Sequence, residues 1–166
     1  MSFQIVPGLS SFADKYDGYI LDLWGVVHDG TKPYEGVLEC MAKLREGGKP
    51  LLLLSNAPRV NKYVKEFLLG LGIPEDAYDH ILTSGDITRL VLEQKRFPYL
   101  GGEGQKFYQF GAEKDRGLDD DLDYVKTENL DEADFLICTG LANDMVETPE
   151  DYRELLTKAA ARKLPM

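Results

Sequence analysis

Apolar positions along this chain fall into two alternating patterns, short continuous runs and segments with helical spacing. The continuous runs predict strands near residues 18–23, 50–55 and 80–83. The helically spaced segments predict helices over residues 34–45, 60–71 and 86–95. Strands that alternate with helices favour βαβ units, so we predict an α/β fold with a parallel sheet. We interpret Ser84-Gly85-Asp86 as the cap of the third helix rather than as catalytic residues.

A glycine-rich segment over residues 97–104 interrupts this pattern and predicts a hinge or turn. Beyond it, the pattern predicts strands over residues 106–110 and 134–138 and a helix over residues 149–162. Near the start of the chain, an amphipathic stretch predicts a short helix over residues 9–16. We therefore predict two domains, residues 1–97 and residues 98–166.

The first predicted strand ends on a carboxylate, Asp22, and the chain turns at once, at Gly25. In open α/β sheets the reactive crevice lies outside the carboxyl ends of the strands, and this strand delivers Asp22 to that edge. A carboxylate there can attack an electrophile covalently, as aspartyl-phosphate enzymes do. Taken alone, the pattern is equally compatible with Asp22 capping the turn that follows.

The second predicted strand ends on Ser55 and Asn56, just before a helix that starts near Pro58. Proline suits a first helical turn because its missing N–H is not needed there. The backbone N–H groups of that turn, together with the Ser55 hydroxyl, favour a phosphate. An ordinary helix cap would account for Ser55 or Asn56 singly. It does not account for the fact that both predicted strands are built in the same way, as an apolar run that ends on a polar residue.

Composition excludes some partners. The 166 residues include 19 Lys+Arg against 29 Asp+Glu, and the net charge of -10 disfavours nucleic acid, which demands a basic surface. No apolar run approaches a membrane span and no basic leader opens the chain, so we expect no membrane partner and, by default, a cytoplasmic location. We interpret Cys40 and Cys138 as reduced core residues, since their spacing suits neither metal nor redox chemistry.

Residues 22–30, 54–56 and 81–85 together resemble the haloacid dehalogenase-like (HAD) superfamily, class IIA, the NagD-like phosphatases. The resemblance implies a Rossmannoid parallel sheet with helices on both faces, plus part of a smaller α/β cap of the C2 type. It also implies hydrolysis of small phosphorylated metabolites through an aspartyl-phosphate intermediate. Asp22 matches the nucleophile and Ser55 matches the residue that binds the phosphoryl group, while Asn56 matches the Asn that commonly follows it.

The chain departs from the family pattern at Trp24, which stands where the family has its acid–base Asp. An indole cannot donate a proton near neutral pH, and losing a positioned general acid costs about 10²–10⁴-fold in rate. The resemblance also implies Mg²⁺, bound here by Asp22 and by the backbone carbonyl of Trp24. His28 and Asp29 could fold back to replace the missing acid, or they could be solvated loop residues. The acidic run over residues 119–121 is interpreted as solvated rather than as a cation site.

The family completes its site with a Lys and an acidic pair that follow the cap, and the chain stops at Met166 before either. We therefore expect a fragment of a longer chain, or a product that depends on a partner. Without further strands the Asp22 strand would present an open edge, through which a homodimer could form. Two hypotheses follow. The chain is a metal-dependent phosphohydrolase, or it is a catalytically silent HAD-like module that binds a phosphate ligand or serves in assembly.

Overall fold

The computed structural model describes residues 5–102 and 105–166, and the chain divides into two compact units. The first unit contains the described residues up to Asn56 together with Asn61–Leu82. The second contains Ala57–Val60 and the described part of Thr83–Met166. The predicted boundary between residues 97 and 98 stays a prediction, and residues 103 and 104 of the predicted hinge lie outside the described residues.

The first sheet has the strand order β1-β2-β3. Its strands are β1 (Tyr19–Asp22), β2 (Leu51–Ser55) and β3 (His80–Thr83), close to the predicted positions. Strands β1 and β2 pair in parallel, with Tyr19 opposite Leu51 and Asp22 opposite Leu54. Strand β1 is at the edge of this sheet, and Ile20 on it is 66% exposed.

Helices α1 (Val37–Glu46) and α2 (Asn61–Gly70) supply apolar side chains to the first unit. Its most buried residues include Met41, Leu51, Leu53, Leu68 and Ile73. Helix α1 begins three residues later than predicted, because Tyr34 N–H donates to the carbonyl of Val27 and a turn precedes the helix.

Two expectations, one for the start of the chain and one for its cysteines, were wrong. The predicted helix over residues 9–16 is instead a pair of 3-10 turns, Leu9–Ser11 and Ala13–Lys15. Phe12 between them has an extended φ of -144°, which an α-helix cannot accommodate. The cysteines are free as expected, but they are not core residues, since Cys40 is half-buried and Cys138 is exposed.

The second sheet has the strand order β5-β4-β6, and all its pairs are parallel. It consists of β4 (Lys106–Phe110), β5 (Val125–Lys126) and β6 (Phe135–Cys138). Strand β5 is missing from the sequence prediction because two exposed residues carry no periodicity. Helices α3 (Ser84–Glu93) and α4 (Arg153–Ala161) belong to the same unit. Of the helix predicted over residues 149–162, the first four residues, Pro149–Tyr152, form a 3-10 turn that leads into α4.

Successive residues of β6 point to opposite faces of the second sheet, as the strand period requires. Phe135 and Ile137 join a buried cluster with Leu92 of α3 and with Phe107. Leu136 joins a separate cluster with Ala159 of α4. The second unit is thus a sheet covered by apolar contacts on both faces, and the predicted α/β class is confirmed. No helix in the described ranges has the length and apolar character needed to cross a bilayer.

Candidate functional site

Asp22 and Ser55 lie at the same edge of the first sheet. Asp22 is the last residue of β1 and pairs with Leu54, so Ser55 lies one residue further along the neighbouring parallel strand. Strand spacing and rise then put the Cα atoms of Asp22 and Ser55 roughly 6 Å apart. Both residues therefore lie at the carboxyl ends of their strands, the edge at which α/β sheets bind their ligands.

The Asp22 carboxylate is exposed, and its Oδ1 accepts a hydrogen bond of 2.7 Å from the backbone N–H of Leu23. The carbonyl of Leu23 in turn accepts from the N–H groups of Val27 (2.9 Å) and His28 (3.1 Å). Gly25 makes this tight loop possible with a left-handed φ of 80°. The loop thereby fixes the backbone around Asp22 and leaves the carboxylate facing solvent.

Trp24 is held in place although it is 66% exposed. A Cβ at Gly30 would lie 2.5 Å from both Cη2 and Cζ3 of the indole, so the ring lies close against this glycine. The indole also meets the ring of His28 edge to face, with centroids 5.8 Å apart. Trp24 thus presents an aromatic surface two residues after Asp22.

His28 is buried at 3% exposure, so its interpretation as a solvated loop residue is wrong. Its Nδ1 accepts a hydrogen bond of 3.0 Å from the N–H of Gly30, which leaves the proton of the neutral ring on Nε2. Its ring packs against Phe67 of α2 with centroids 5.5 Å apart. His28 is therefore a packed support beneath Trp24.

Asp29 caps the turn that follows it. Its Oδ1 accepts from the Thr31 hydroxyl (2.7 Å) and from the N–H groups of Thr31 (2.8 Å) and Lys32 (2.9 Å). The Thr31 side-chain bond, followed by the two backbone bonds, lowers the pKa of Asp29 to about 2. The Asp29 carboxylate is therefore held within its own turn and stays ionised at neutral pH.

The segment that follows Ser55 and Asn56 is anchored on the start of α3, a contact that sequence reasoning missed. The carbonyl of Ala57 accepts from the Ser84 hydroxyl (2.9 Å) and from Gly85 N–H (3.2 Å). The carbonyl of Arg59 accepts from the Thr83 hydroxyl at 2.8 Å. The run of small residues after β3 was the available signal, because small side chains permit such close backbone approach.

The predicted capping role of residues 84–86 is confirmed, with one shift. The N-cap is Thr83, whose Oγ1 accepts from Asp86 N–H while the Asp86 carboxylate accepts from Thr83 N–H, both at 2.9 Å. This reciprocal pair is a capping box. A Cβ on Gly85 would lie 2.3 Å from the carbonyl carbon of Arg59, so glycine is required beside the cap.

Within residues 5–102 and 105–166, the structure brings together no group of three His, Cys, Asp or Glu side chains that could hold a metal ion. Glu147, an acidic residue in a polar turn, accepts from Asn143 N–H (2.9 Å) and from the Tyr152 hydroxyl (2.8 Å). These bonds, the first of them above all, lower the pKa of Glu147 and give it a structural role.

A family profile described as haloacid dehalogenase-like hydrolase matches residues 19–125. Among individual relatives, Sugar-phosphatase AraL of Bacillus subtilis is 31% identical over 124 residues, covering 72% of this chain and 42% of the relative. The 4-nitrophenylphosphatase of Schizosaccharomyces pombe is 28% identical over 142 residues, covering 82% and 44%. The chain therefore spans less than half the length of these relatives.

A solved structure of the same family also matches this chain. The crystal structure of a hydrolase of the haloacid dehalogenase-like family from Brucella suis superposes with a TM-score of 0.81 at 37% identity. The match covers 97% of this chain and 59% of that chain.

Proposed function

We propose, because this chain belongs to the haloacid dehalogenase-like hydrolase family, that it carries the nucleophile and phosphate-binding half of a phosphohydrolase site for small phosphorylated metabolites. The observation that carries this proposal is the pairing of Asp22 with Leu54. That register puts the end of β1 beside Ser55, at the edge where α/β sheets bind their ligands.

The proposed reaction begins with attack by a carboxylate oxygen of Asp22 on phosphorus. The bond from phosphorus to the leaving oxygen breaks, and the phosphoryl group is held on Asp22 as an acyl phosphate. Water then attacks phosphorus, the bond from phosphorus to the Asp22 oxygen breaks, and inorganic phosphate leaves as the carboxylate is regenerated. The exposure of Asp22 and the Leu23 N–H that orients its Oδ1 support this role.

Ser55 and Asn56 are the residues proposed to bind the phosphoryl oxygens. The Ser55 hydroxyl and the Asn56 amide are hydrogen-bond donors, and α2 begins five residues after Asn56. The bonds that fix the carbonyls of Ala57 and Arg59 limit movement of the segment between Asn56 and α2. Such fixed donors stabilise transition-state charge without reorganising.

For Mg²⁺, which the family implies, the donors that we assign are the Asp22 carboxylate and the backbone carbonyl of Trp24. Bound there, the ion would neutralise phosphate charge. Mg²⁺ requires six oxygens, of which waters and the phosphate can supply several.

The second candidate is a catalytically silent module that binds a phosphate ligand or serves in assembly. Trp24 favours it, since this side chain can neither protonate a leaving group nor activate water. Association into a homodimer would use the exposed edge of β1, where Ile20 faces solvent. Gel filtration of the purified chain tests that association.

One experiment separates the two candidates. Purified protein is incubated with Mg²⁺ and phosphate monoesters, phosphate release is measured, and intact mass is recorded for a phosphorylated species. The enzyme hypothesis expects both signals to disappear in Asp22→Asn and to persist in Asp17→Asn, an exposed matched control in the same unit. If the wild-type chain gives neither signal but inorganic phosphate raises its melting temperature, the silent module is the correct function.

A further inference from the structure

Trp24 is an exposed aromatic side chain held beside the proposed nucleophile. It follows Asp22 by two residues, so their Cα atoms lie within about 7 Å of each other. Two-thirds of its surface is accessible although Gly30 and His28 fix its orientation. His28 is itself packed on Phe67, so the support beneath the indole is part of the core of this unit. The indole thus packs against Gly30 and His28 and presents the rest of its surface to solvent.

We propose that the Trp24 indole is a stacking surface for an aromatic group attached to the phosphate, which makes aryl phosphate monoesters the preferred substrate class. The inference rests on the proposed function, in which Asp22 and Ser55 engage the phosphoryl group. In an aryl phosphate the ring carbon is two bonds from phosphorus, so the ring must lie close to any residue that neighbours the phosphoryl site. Offset or edge-to-face contact between two aromatic rings then adds to ordinary apolar burial.

The chemistry of the leaving group favours the same substrates. The indole N–H supplies no proton near neutral pH, and the Asp29 carboxylate is already engaged by Thr31 and Lys32. As the bond from Asp22 to phosphorus forms, the bond from phosphorus to the aryl oxygen breaks, and its electron pair leaves on that oxygen. The product is a phenolate, which is stable without a proton from the protein. An alkoxide from an alkyl phosphate lacks that stability and needs the absent acid.

Binding can be measured apart from turnover, because Trp24 is the one tryptophan in the sequence. Phenylphosphonate and methylphosphonate share the anionic head group. Attack by Asp22 does not cleave their carbon–phosphorus bond, so both ligands stay intact. We expect phenylphosphonate to bind roughly two- to tenfold more tightly, the range that an aromatic pair provides. We also expect it to change the tryptophan fluorescence on saturation, whereas methylphosphonate leaves the emission nearly unchanged.

Variants assign this preference to the indole. Calorimetry on Trp24→Ala is expected to give equal affinities for the two phosphonates, whereas Trp24→Phe keeps part of the preference because an aromatic face remains. Gly30→Ala pushes a methyl group into the indole, so it should also reduce the preference. Gly36→Ala is its matched control, with a similar positive φ of 77° and open space around the added Cβ, and should retain the wild-type preference.

Equal affinity of the wild-type chain for both phosphonates would overturn the inference, as would a phenyl preference that survives in Trp24→Ala. Binding of neither phosphonate would overturn it too. The proposed function fails separately, by phosphate release that persists in Asp22→Asn. If release depends on Asp22 but the phosphonates bind equally, the function stands and the role of Trp24 is refuted.

Discussion

Gly85→Ala tests how the segment after Ser55 and Asn56 is held. The new Cβ would lie 2.3, 2.5 and 2.6 Å from the C, O and N atoms of Arg59, all of them backbone atoms that cannot rotate away. Overpacking of this kind costs typically about 1–3 kcal/mol. Ala also has the higher helix propensity by up to about 1 kcal/mol, which offsets part of that cost because Gly85 is in α3.

The matched control is Gly70→Ala, the same change in another helix. Gly70 ends α2, and nothing lies within 4 Å of the Cβ it would gain. This variant should be neutral or more stable by up to about 1 kcal/mol. We therefore expect the free energies of unfolding of the two variants to differ by about 1–3 kcal/mol, or a few degrees up to roughly 12 °C in Tm.

Urea titration of both variants gives the difference from the midpoints, provided that the m values agree. Gly85→Ala should also weaken binding of inorganic phosphate, because displacement of Arg59 moves the segment next to Asn56. Equal midpoints for the Gly85 and Gly70 variants would refute the reasoning. Loss of stability with unchanged phosphate binding would show that this contact holds the fold but not the site.

Three further predictions concern the loop, the core and the acid position. Asp29 has a pKa lowered from 3.8 to about 2, so its contribution to stability is present above pH 4 and is lost as the pH falls towards 2; Asp29→Asn should abolish that part of the pH dependence of the urea midpoint. Phe107→Ala, at a fully buried site, should cost about 3–5 kcal/mol in urea unfolding, while the half-exposed Phe97→Ala should cost far less. Trp24→Asp should raise release from alkyl phosphates by up to about 10²-fold in a phosphate assay, and no gain would show that Asp at this position does not supply the acid.

The family and the α/β class were recognisable from the sequence, and both are confirmed. The reason is local, since each strand signal is a continuous apolar run and each helix carries its own periodicity. The edge shared by Asp22 and Ser55 followed as well, because parallel strands joined by helices must end on the same side of the sheet. The roles of these residues, of Asn56 and of Mg²⁺ stay predictions.

The environment of Trp24 could not be inferred in this way. Sequence reasoning treated His28 and Asp29 as equivalent loop residues, yet one is buried against Phe67 and the other caps a turn. The burial of His28 is not written in the local pattern, because it depends on which distant helix packs against the loop. The cap made by Asp29 is local, since its partners are Thr31 and Lys32. The missed strand β5 has the same cause, since Val125 and Lys126 are strand residues through their partners in β4.

The sequence by itself thus determined which residues reach the carboxyl edge of the first sheet, because strand direction and chain order are enough to decide that. The tertiary structure alone decided what surrounds them. Contacts between residues far apart in the chain bury His28, bring Arg59 against Gly85 and put Phe135 and Leu136 into separate clusters. Close packing selects such contacts from the shapes of whole elements, and that information is spread over the entire chain.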